Sequence, residues 1–290
     1  MEGSAADPGP VAAGTQRVDE TPPIGSAGSP ARVQAHRVAG FEALLAPLGI
    51  PIAAEPDPGR FLLTACDGAL ELRPPGESDR RGIQADFPPD REVTRGGCRQ
   101  PSRPELLVRA FGARIDGILD LTAGLGADAY RLARAGHRVC AVERHPAVFA
   151  LLVSGFERAR RRGDVPEEVA NRLRLEHGEA LERILAIDAP GVGVYLDPMY
   201  PPPRRSSALP KRALQVLRQL VGDSSDAAEL LAAARSRAAR VVVKRPHRAP
   251  PLAPGTSHAL ASKLVRFDVY VNASRVRRAG DAAGTSREDV

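Results

Sequence analysis

The run Ile118-Leu-Asp-Leu-Thr-Ala-Gly-Leu-Gly126, continued by Ala127-Asp128-Ala129, decides the fold. An apolar stretch ends in an acidic residue, two glycines make a tight turn, and an alanine-rich helical pattern begins. The order is strand, glycine loop, helix start. Glycine lets the backbone approach a ligand where a Cβ would collide, and the first turn of the helix offers N–H groups that have no intrahelical partner. Such a loop suits a cofactor of nucleotide type. The spacing Gly124-x-Gly126-x-x-Ala129 is shared by several kinds of nucleotide site, so the rest of the chain must say which one this is.

Downstream of this loop, strands and helices alternate. A strand over 116–121 and a helix over 127–135 are followed by a strand at 137–142. A helix opening at Pro146 comes next, with Val148, Leu152, Phe156 and Ala159 at helical spacing. Strand 173–177, helix 179–187 and strand 192–196 follow. Helices 209–221 and 226–238 precede strand 240–244, and a last strand or strand pair lies within 264–271. Alternation of this kind predicts an α/β fold, a mostly parallel sheet covered on both faces. Upstream, Phe41, Leu44, Leu45 and Leu48 mark a short helix within 38–48. Phe61–Ala65 and Ala69–Leu72 form a hairpin signal around Asp67-Gly68, and a helix is expected over 104–111. The domain reading is a disordered tail over 1–35, rich in Gly, Ala, Pro and Ser, then a small α+β segment with a basic linker over 36–110. The cofactor domain spans 111–272, and a flexible tail spans 273–290.

Composition narrows the class. The chain has 290 residues, 43% of them hydrophobic, which suits one core with some length to spare. No apolar run approaches the roughly 20 residues that span a bilayer, and no secretory signal opens the chain. Cys66, Cys98 and Cys140 are odd in number and far apart, fitting neither a disulfide framework nor a zinc site. These features predict a cytoplasmic protein with no membrane partner and no metal. The net charge of +6 invites a nucleic-acid partner, but Lys211, Lys244 and Lys263 are the only lysines, and coding bias toward arginine explains the excess as well. Arg80, Arg81, Arg91, Arg95, Arg99, Arg103, Arg109 and Arg114, with Gly96-Gly97 among them, read as a basic segment beside the active site or as a solvated linker.

Two strand ends carry the chemistry. Glu143 closes the second strand, where a carboxylate accepts hydrogen bonds from both ribose hydroxyls of an adenosine cofactor, whether NAD or S-adenosylmethionine. His177-Gly-Glu-Ala180 closes the third strand, so that Glu179 faces the adenine or serves as a helix-start carboxylate. Asp197-Pro-Met-Tyr-Pro201, directly after the fourth strand, looks like the (Asp/Asn/Ser)-Pro-x-(Tyr/Phe) motif of methyltransferases acting on exocyclic amino nitrogens of nucleobases. An aryl amine is a poor nucleophile because its lone pair is delocalised into the ring. Asp197, with the Pro198 carbonyl, would accept its N–H bonds and aim the nitrogen, while Tyr200 would stack on the flipped base. His145, His177 and His247 show no metal-ligand spacing.

These segments together resemble the bacterial small-subunit ribosomal RNA guanine-N2-methyltransferases of the RsmJ family. The matching residues are Asp120-Leu-Thr-Ala-Gly-Leu-Gly-Ala-Asp128, Val142-Glu-Arg-His-Pro146 and Val194-Tyr-Leu-Asp-Pro-Met-Tyr-Pro201. To these are added Ser207-Ala-Leu209 with Lys211, Val241-Val-Val-Lys-Arg-Pro246 with Ala249-Pro-Pro-Leu252, and Arg266-Phe-Asp268. The resemblance covers roughly 80–270. It implies a Rossmann-like class I methyltransferase fold with a mostly parallel seven-stranded sheet and a small N-terminal α+β cap. It also implies S-adenosylmethionine as cofactor, and 16S ribosomal RNA or the small ribosomal subunit as partner. Carried over by residue, cofactor contacts fall on Ala127 and Asp128 beside Gly124 and Gly126, on Glu143 and Arg144, on Glu179 and Ala180, and on Asp197. RNA phosphates are expected at Arg204, Arg205, Lys211, Lys244 and Arg245. The chain departs from the family at Glu179-Ala180, where small polar residues are usual, in the loosely kept Arg95-Gly-Gly-Cys-Arg99, and over residues 1–60. The alternatives are an NAD-type oxidoreductase, which leaves Asp197-Pro-Met-Tyr unexplained, a methyltransferase of another RNA or DNA amino group, and a non-catalytic RNA-binding module on the same fold.

Overall fold

A computed structural model describes residues 32–89, 105–112, 115, 117–187, 191–199, 212–222 and 226–276 of the chain. Its main sheet has seven strands: β4 (Gly117–Asp120), β5 (Arg138–Glu143), β6 (Leu173–His177), β7 (Gly193–Leu196), β8 (Arg240–Pro246), β9 (His258–Ala261) and β10 (Val265–Val271). The spatial order is β6-β5-β4-β7-β8-β10-β9. β4 to β8 are parallel, whereas β10 runs antiparallel to both of its neighbours. The expected mostly parallel, seven-stranded Rossmann-like sheet is the one observed.

The central strands are apolar throughout because both faces are covered. All four residues of β7 are buried, as are Val241, Val242 and Val243 of β8. On one side lie α2 (Leu106–Phe111), α3 (Ala127–Arg134), α4 (Pro146–Arg161) and α5 (Glu167–Ala170). The helices α6 (Ala180–Leu185) and α8 (Ala227–Arg237) pack together and, through Ile184, Leu230 and Leu231, on the other face. Gly193 is small for a packing reason, since a Cβ there would come within 2.8 Å of Phe111 and Ile115. Element bounds fall within two or three residues of those read from periodicity. α5 and β9 are the exceptions: α5 is a single turn of four residues, and three of the four residues of β9 are exposed, so no periodicity announces either.

The N-terminal part is a three-stranded sheet of β1 (Val33–Ala35), β2 (Phe61–Cys66) and β3 (Ala69–Arg73). Strand β1 lies inside the segment expected to be a disordered tail: Val33 and Ala35 are apolar residues at period 2 and pair with Phe61 and Leu63. The helix expected over 38–48 is shorter, α1 (Glu42–Leu45) followed by a 3₁₀ turn (Ala46–Leu48), because Pro47 removes an N–H and Gly49 turns the chain at φ +65°. A further helical turn occupies 273–276, at the start of the segment expected to fray.

This α+β cap shares its core with the main domain. Leu63, Leu70 and Leu72 share one buried cluster with Ala147, Val148 and Leu151 of α4 and with Val216, Leu217 and Leu220 of α7 (Arg212–Val221). The Ser154 hydroxyl accepts the Leu70 N–H at 3.1 Å. After β3, residues 83–87 cross α4. Arg158 donates to Gln84 Oε1 at 2.6 Å and to the Ala85 carbonyl at 3.0 Å. A Cβ on Gly155 would meet that same carbonyl at 2.4 Å, and Phe87 packs edge-on against Tyr130 and Phe156. Among the described residues no helix is long and apolar enough to cross a membrane.

Candidate active site

In an open parallel sheet, ligands bind beyond the carboxyl ends of the strands, where the strand order reverses. Here the chain leaves β4 toward β5 and β6, then returns to the other side of β4 with β7. The two stretches singled out by the sequence, 121–128 and 197–199, therefore emerge side by side.

The glycine loop is held by backbone bonds on both sides: Leu121 N–H donates to the Tyr195 carbonyl, Ala123 N–H to that of Val142, and Gly126 N–H to that of Ala123. Both glycines have positive φ, +54° at Gly124 and +81° at Gly126, but they differ in what they face. A Cβ on Gly124 would meet nothing nearer than 4.0 Å, so this edge of the loop is open to a ligand. A Cβ on Gly126 would strike Leu152 Cδ1 at 2.4 Å and Phe87 at 3.1 Å, so that glycine serves close packing within the protein. Gly126 is also the N-cap of α3 and supplies no side-chain cap, which leaves the N–H groups of Ala127 and Asp128 without intrahelical acceptors.

Glu143, at the end of β5, is almost completely buried, and burial pushes its carboxyl above the usual range. The backbone N–H groups of His145 and Gly124 oppose that shift, donating to its two oxygens at 2.8 and 2.9 Å. The carboxylate keeps acceptor capacity for a hydroxyl. Arg144 pairs with Asp226 at the start of α8, 2.6 Å away. Glu179 and Ala180 stand at the start of α6. Glu179 borders a cavity of about 220 Å³ with Leu181, Glu182, Asp226, Glu229 and Leu230. Asp120, at the end of β4, is 1% exposed; burial pushes its carboxyl well up, against the Thr122 N–H that donates to it at 3.1 Å.

Asp197 follows β7. Its N–H donates to the Thr122 hydroxyl at 2.6 Å, which ties the β7 end to the glycine loop. One carboxylate oxygen, Oδ2, accepts from Lys244 Nζ at 2.9 Å. That ammonium also donates to Asp128 Oδ2 at 2.7 Å, and the Tyr195 hydroxyl donates to the same oxygen at 2.7 Å. Asp128 Oδ1 accepts from Arg131 at 2.9 Å. Burial pushes the Asp197 carboxyl up, with Lys244 opposing and Asp128 adding to the rise. Asp128 is held below the usual range: Lys244, its own hydrogen bonds and Arg131 overcome its burial. Lys244 is raised above the usual lysine range because the two carboxylates outweigh its burial.

The structure thus brings together Gly124, Gly126, Ala127, Asp128, Glu143, Arg144, Asp197 and the buried Pro198, with Glu179 and Ala180 farther along the same edge. Tyr200, Arg204, Arg205 and Lys211 lie outside the described residues. Lys244 and Arg245, expected at RNA phosphates, have partners within the protein. Lys244 turns its ammonium onto two carboxylates, and Arg245, 6% exposed, donates Nε and Nη2 to the Pro250 carbonyl. They are consecutive in a strand and point to opposite faces, Lys244 toward the partly open Asp197 side. Sequence reasoning missed Thr122, Tyr195 and Asp226. Tyr195 reads as one more apolar residue of a core strand, and Asp226 meets Arg144 only across 82 residues of chain. Among the described residues no group of three or more His, Cys, Asp or Glu is placed to hold a metal ion.

Residues 51–272 match the sequence profile of a family described as SAM-dependent methyltransferase. A ribosomal RNA small subunit methyltransferase J of Thioalkalivibrio sulfidiphilus is 45% identical over 245 residues, 79% of this chain and 92% of that relative. Its counterpart in Dechloromonas aromatica is 39% identical over 235 residues, 79% of this chain and 93% of that relative. The crystal structure of a SAM-dependent methyltransferase from Neisseria gonorrhoeae superposes with a TM-score of 0.62 at 30% identity, covering 82% of this chain and 95% of that one. The NAD alternative falls with these matches. The chain belongs to the S-adenosylmethionine-dependent methyltransferases, in the family of the ribosomal RNA small subunit methyltransferases J.

Proposed function

We propose that this protein transfers the methyl group of S-adenosylmethionine to the exocyclic N2 amino group of a guanine in 16S ribosomal RNA, acting in the cytoplasm on the RNA or the small ribosomal subunit. The observation that carries the proposal is the position of Asp197. A carboxylate stands at the carboxyl end of β7, beside the glycine loop at the reversal of strand order, anchored through its own N–H to Thr122. The relatives' name supplies the substrate class. The guanine N2 position comes from the resemblance and from the Asp197-Pro-Met-Tyr motif.

The residues present suit the cofactor. The open edge at Gly124 admits a ligand against the backbone, and the free N–H groups of Ala127 and Asp128 at the start of α3 suit the carboxylate of its methionine part. Glu143 keeps acceptor capacity for ribose hydroxyls. Arg144, Glu179 and Ala180 border the adenine end, and Asp197 lies by the transferred methyl. When bound, the cofactor supplies an electrophilic methyl on a sulfonium. Asp197 accepts an N–H of the guanine amine, localising its lone pair, with the Pro198 carbonyl as second acceptor and Tyr200 stacked on the base. Arg204, Arg205 and Lys211 contact RNA phosphates around it.

Asp197→Ala tests the assignment. We expect methylation of small-subunit RNA to be lost while S-adenosylhomocysteine still raises the melting temperature of the variant. Full activity in that variant would sink the proposal.

A further inference from the structure

Lys244 was expected at a phosphate and is found between two carboxylates. That leaves the question of what a half-buried ammonium does beside the group that receives the substrate amine. Its side chain is 26% exposed, against 13% for Asp128 and 37% for Asp197. It arrives from β8, which pairs with β7 in parallel register, Leu196 opposite Val243, so Lys244 is level with Asp197 on the next strand. Nothing flexible intervenes.

We infer that Lys244 is a positioning residue for the reaction: bridged between Asp128 and Asp197, it fixes the rotamer of Asp197 by holding Oδ2, presents Oδ1 to the substrate amine and keeps the carboxylate ionised. The inference rests on the methyl-transfer reading of this site. Three features support it. Both Nζ contacts are of ion-pair hydrogen-bond length, 2.7 and 2.9 Å. Asp128 is itself immobilised, by Tyr195 on the same oxygen and Arg131 on the other, so Lys244 is anchored at its far side. Finally, among the described residues, burial and the Asp128 charge oppose the ionisation of Asp197.

Among the described residues, the charged and titratable groups facing Asp197 are Asp120 from β4, Asp128 from α3, Tyr195 from its own strand β7, and Lys244 from β8. Among these groups Lys244 is the one cation. Without it, burial and the Asp128 charge favour the neutral acid, whose O–H would compete with the amine for the same geometry.

The reaction makes the requirement concrete. The C–S bond of the donor breaks with its electron pair going to sulfur, a C–N bond forms from the amine lone pair, and the resulting ammonium loses one proton. That proton passes to Asp197 Oδ1 and on to water. An Asp197 already protonated accepts the N–H more weakly, through a neutral carbonyl oxygen, and cannot take the proton afterwards.

The test compares wild type with Lys244→Gln, Lys244→Met and Lys244→Arg. In the cofactor-free protein, the Asp197 carboxyl is titrated by ¹³C NMR, its signal assigned by its absence from Asp197→Asn. Its pKa should rise by about one to three units in Lys244→Gln and Lys244→Met and stay near wild type in Lys244→Arg. In turnover, the acidic limb of the kcat profile should move up with it. That is about a tenfold loss for each unit by which the new pKa exceeds the assay pH, with KM for RNA nearly unchanged. Two results would overturn the inference: an unshifted Asp197 titration, or a raised KM with a shallower salt dependence at constant kcat, the mark of a lost phosphate contact. Gln and Met differ in whether they can donate to the carboxylates. If one of them fails to fold, the other still reads the charge.

Discussion

At the residue scale, the two loop glycines separate fold from function. Both were expected from Gly124-x-Gly126, but only geometry shows that they are small for different reasons. Gly126 is pressed against Leu152 and Phe87, so Gly126→Ala combines left-handed strain with overpacking and should cost about 2 to 4 kcal/mol, read as a lower denaturation midpoint. Gly124 has open space beside it. Gly124→Ala should cost only about 1 kcal/mol in stability but weaken S-adenosylhomocysteine binding, measured by calorimetry, at least tenfold. Equal effects of the two substitutions on both measurements would contradict this division. Asp197 and Glu143 were legible because a carboxylate at a strand end after a glycine loop is a local pattern. Lys244 was half legible. Its basic character suggested a phosphate, whereas its partners within the protein, Asp128 and Asp197, are 116 and 47 residues away along the chain and meet it only in the fold.

At the scale of elements, α4 was the easiest helix to read, with Pro146 at its first turn and apolar residues at helical spacing. Its N-cap holds something the sequence hid. His145 Nδ1 accepts the Ala147 N–H at 3.2 Å, which requires the neutral ring, and burial, aided by Arg144, pushes the imidazole down to about 4. The folded-state value lies below the unfolded one. The cap's contribution is therefore full above pH 6.5 and is lost as pH falls toward 4, where only the unfolded chain takes up the proton. Over that window the wild type should lose roughly 3 kcal/mol more stability than His145→Asn, which caps without titrating. Urea unfolding at pH 7 and pH 4.5 measures it; parallel losses in both proteins would contradict the assignment. Strand β9 was illegible for the opposite reason. It lies at the sheet edge with its residues largely in solvent, so no burial pattern marks it.

At the scale of the whole molecule, the alternation of strands and helices gave the doubly covered sheet, and local periodicity gave its order in the chain. What it could not give is how the N-terminal sheet attaches, because that depends on contacts between residues 70 to 90 positions apart, such as Leu70 with Ser154 and Arg158 with Gln84 and Ala85. The shared core of β1–β3, α4 and α7 predicts that a chain starting at residue 105 will not fold, since Val148, Leu151 and Leu217 would face water. Circular dichroism of that truncation, with a single denaturation transition for the full chain, checks it. A folded truncation that binds S-adenosylhomocysteine would show an independent cap instead. The central claim, that Asp197 aims a guanine amine at the methyl donor, is tested most directly by mass spectrometry of small-subunit RNA incubated with the protein and isotopically labelled S-adenosylmethionine. The account predicts one labelled N2-methylguanine with the wild type and none with Asp197→Ala. Label on a different atom or base, or undiminished label with the variant, would contradict it.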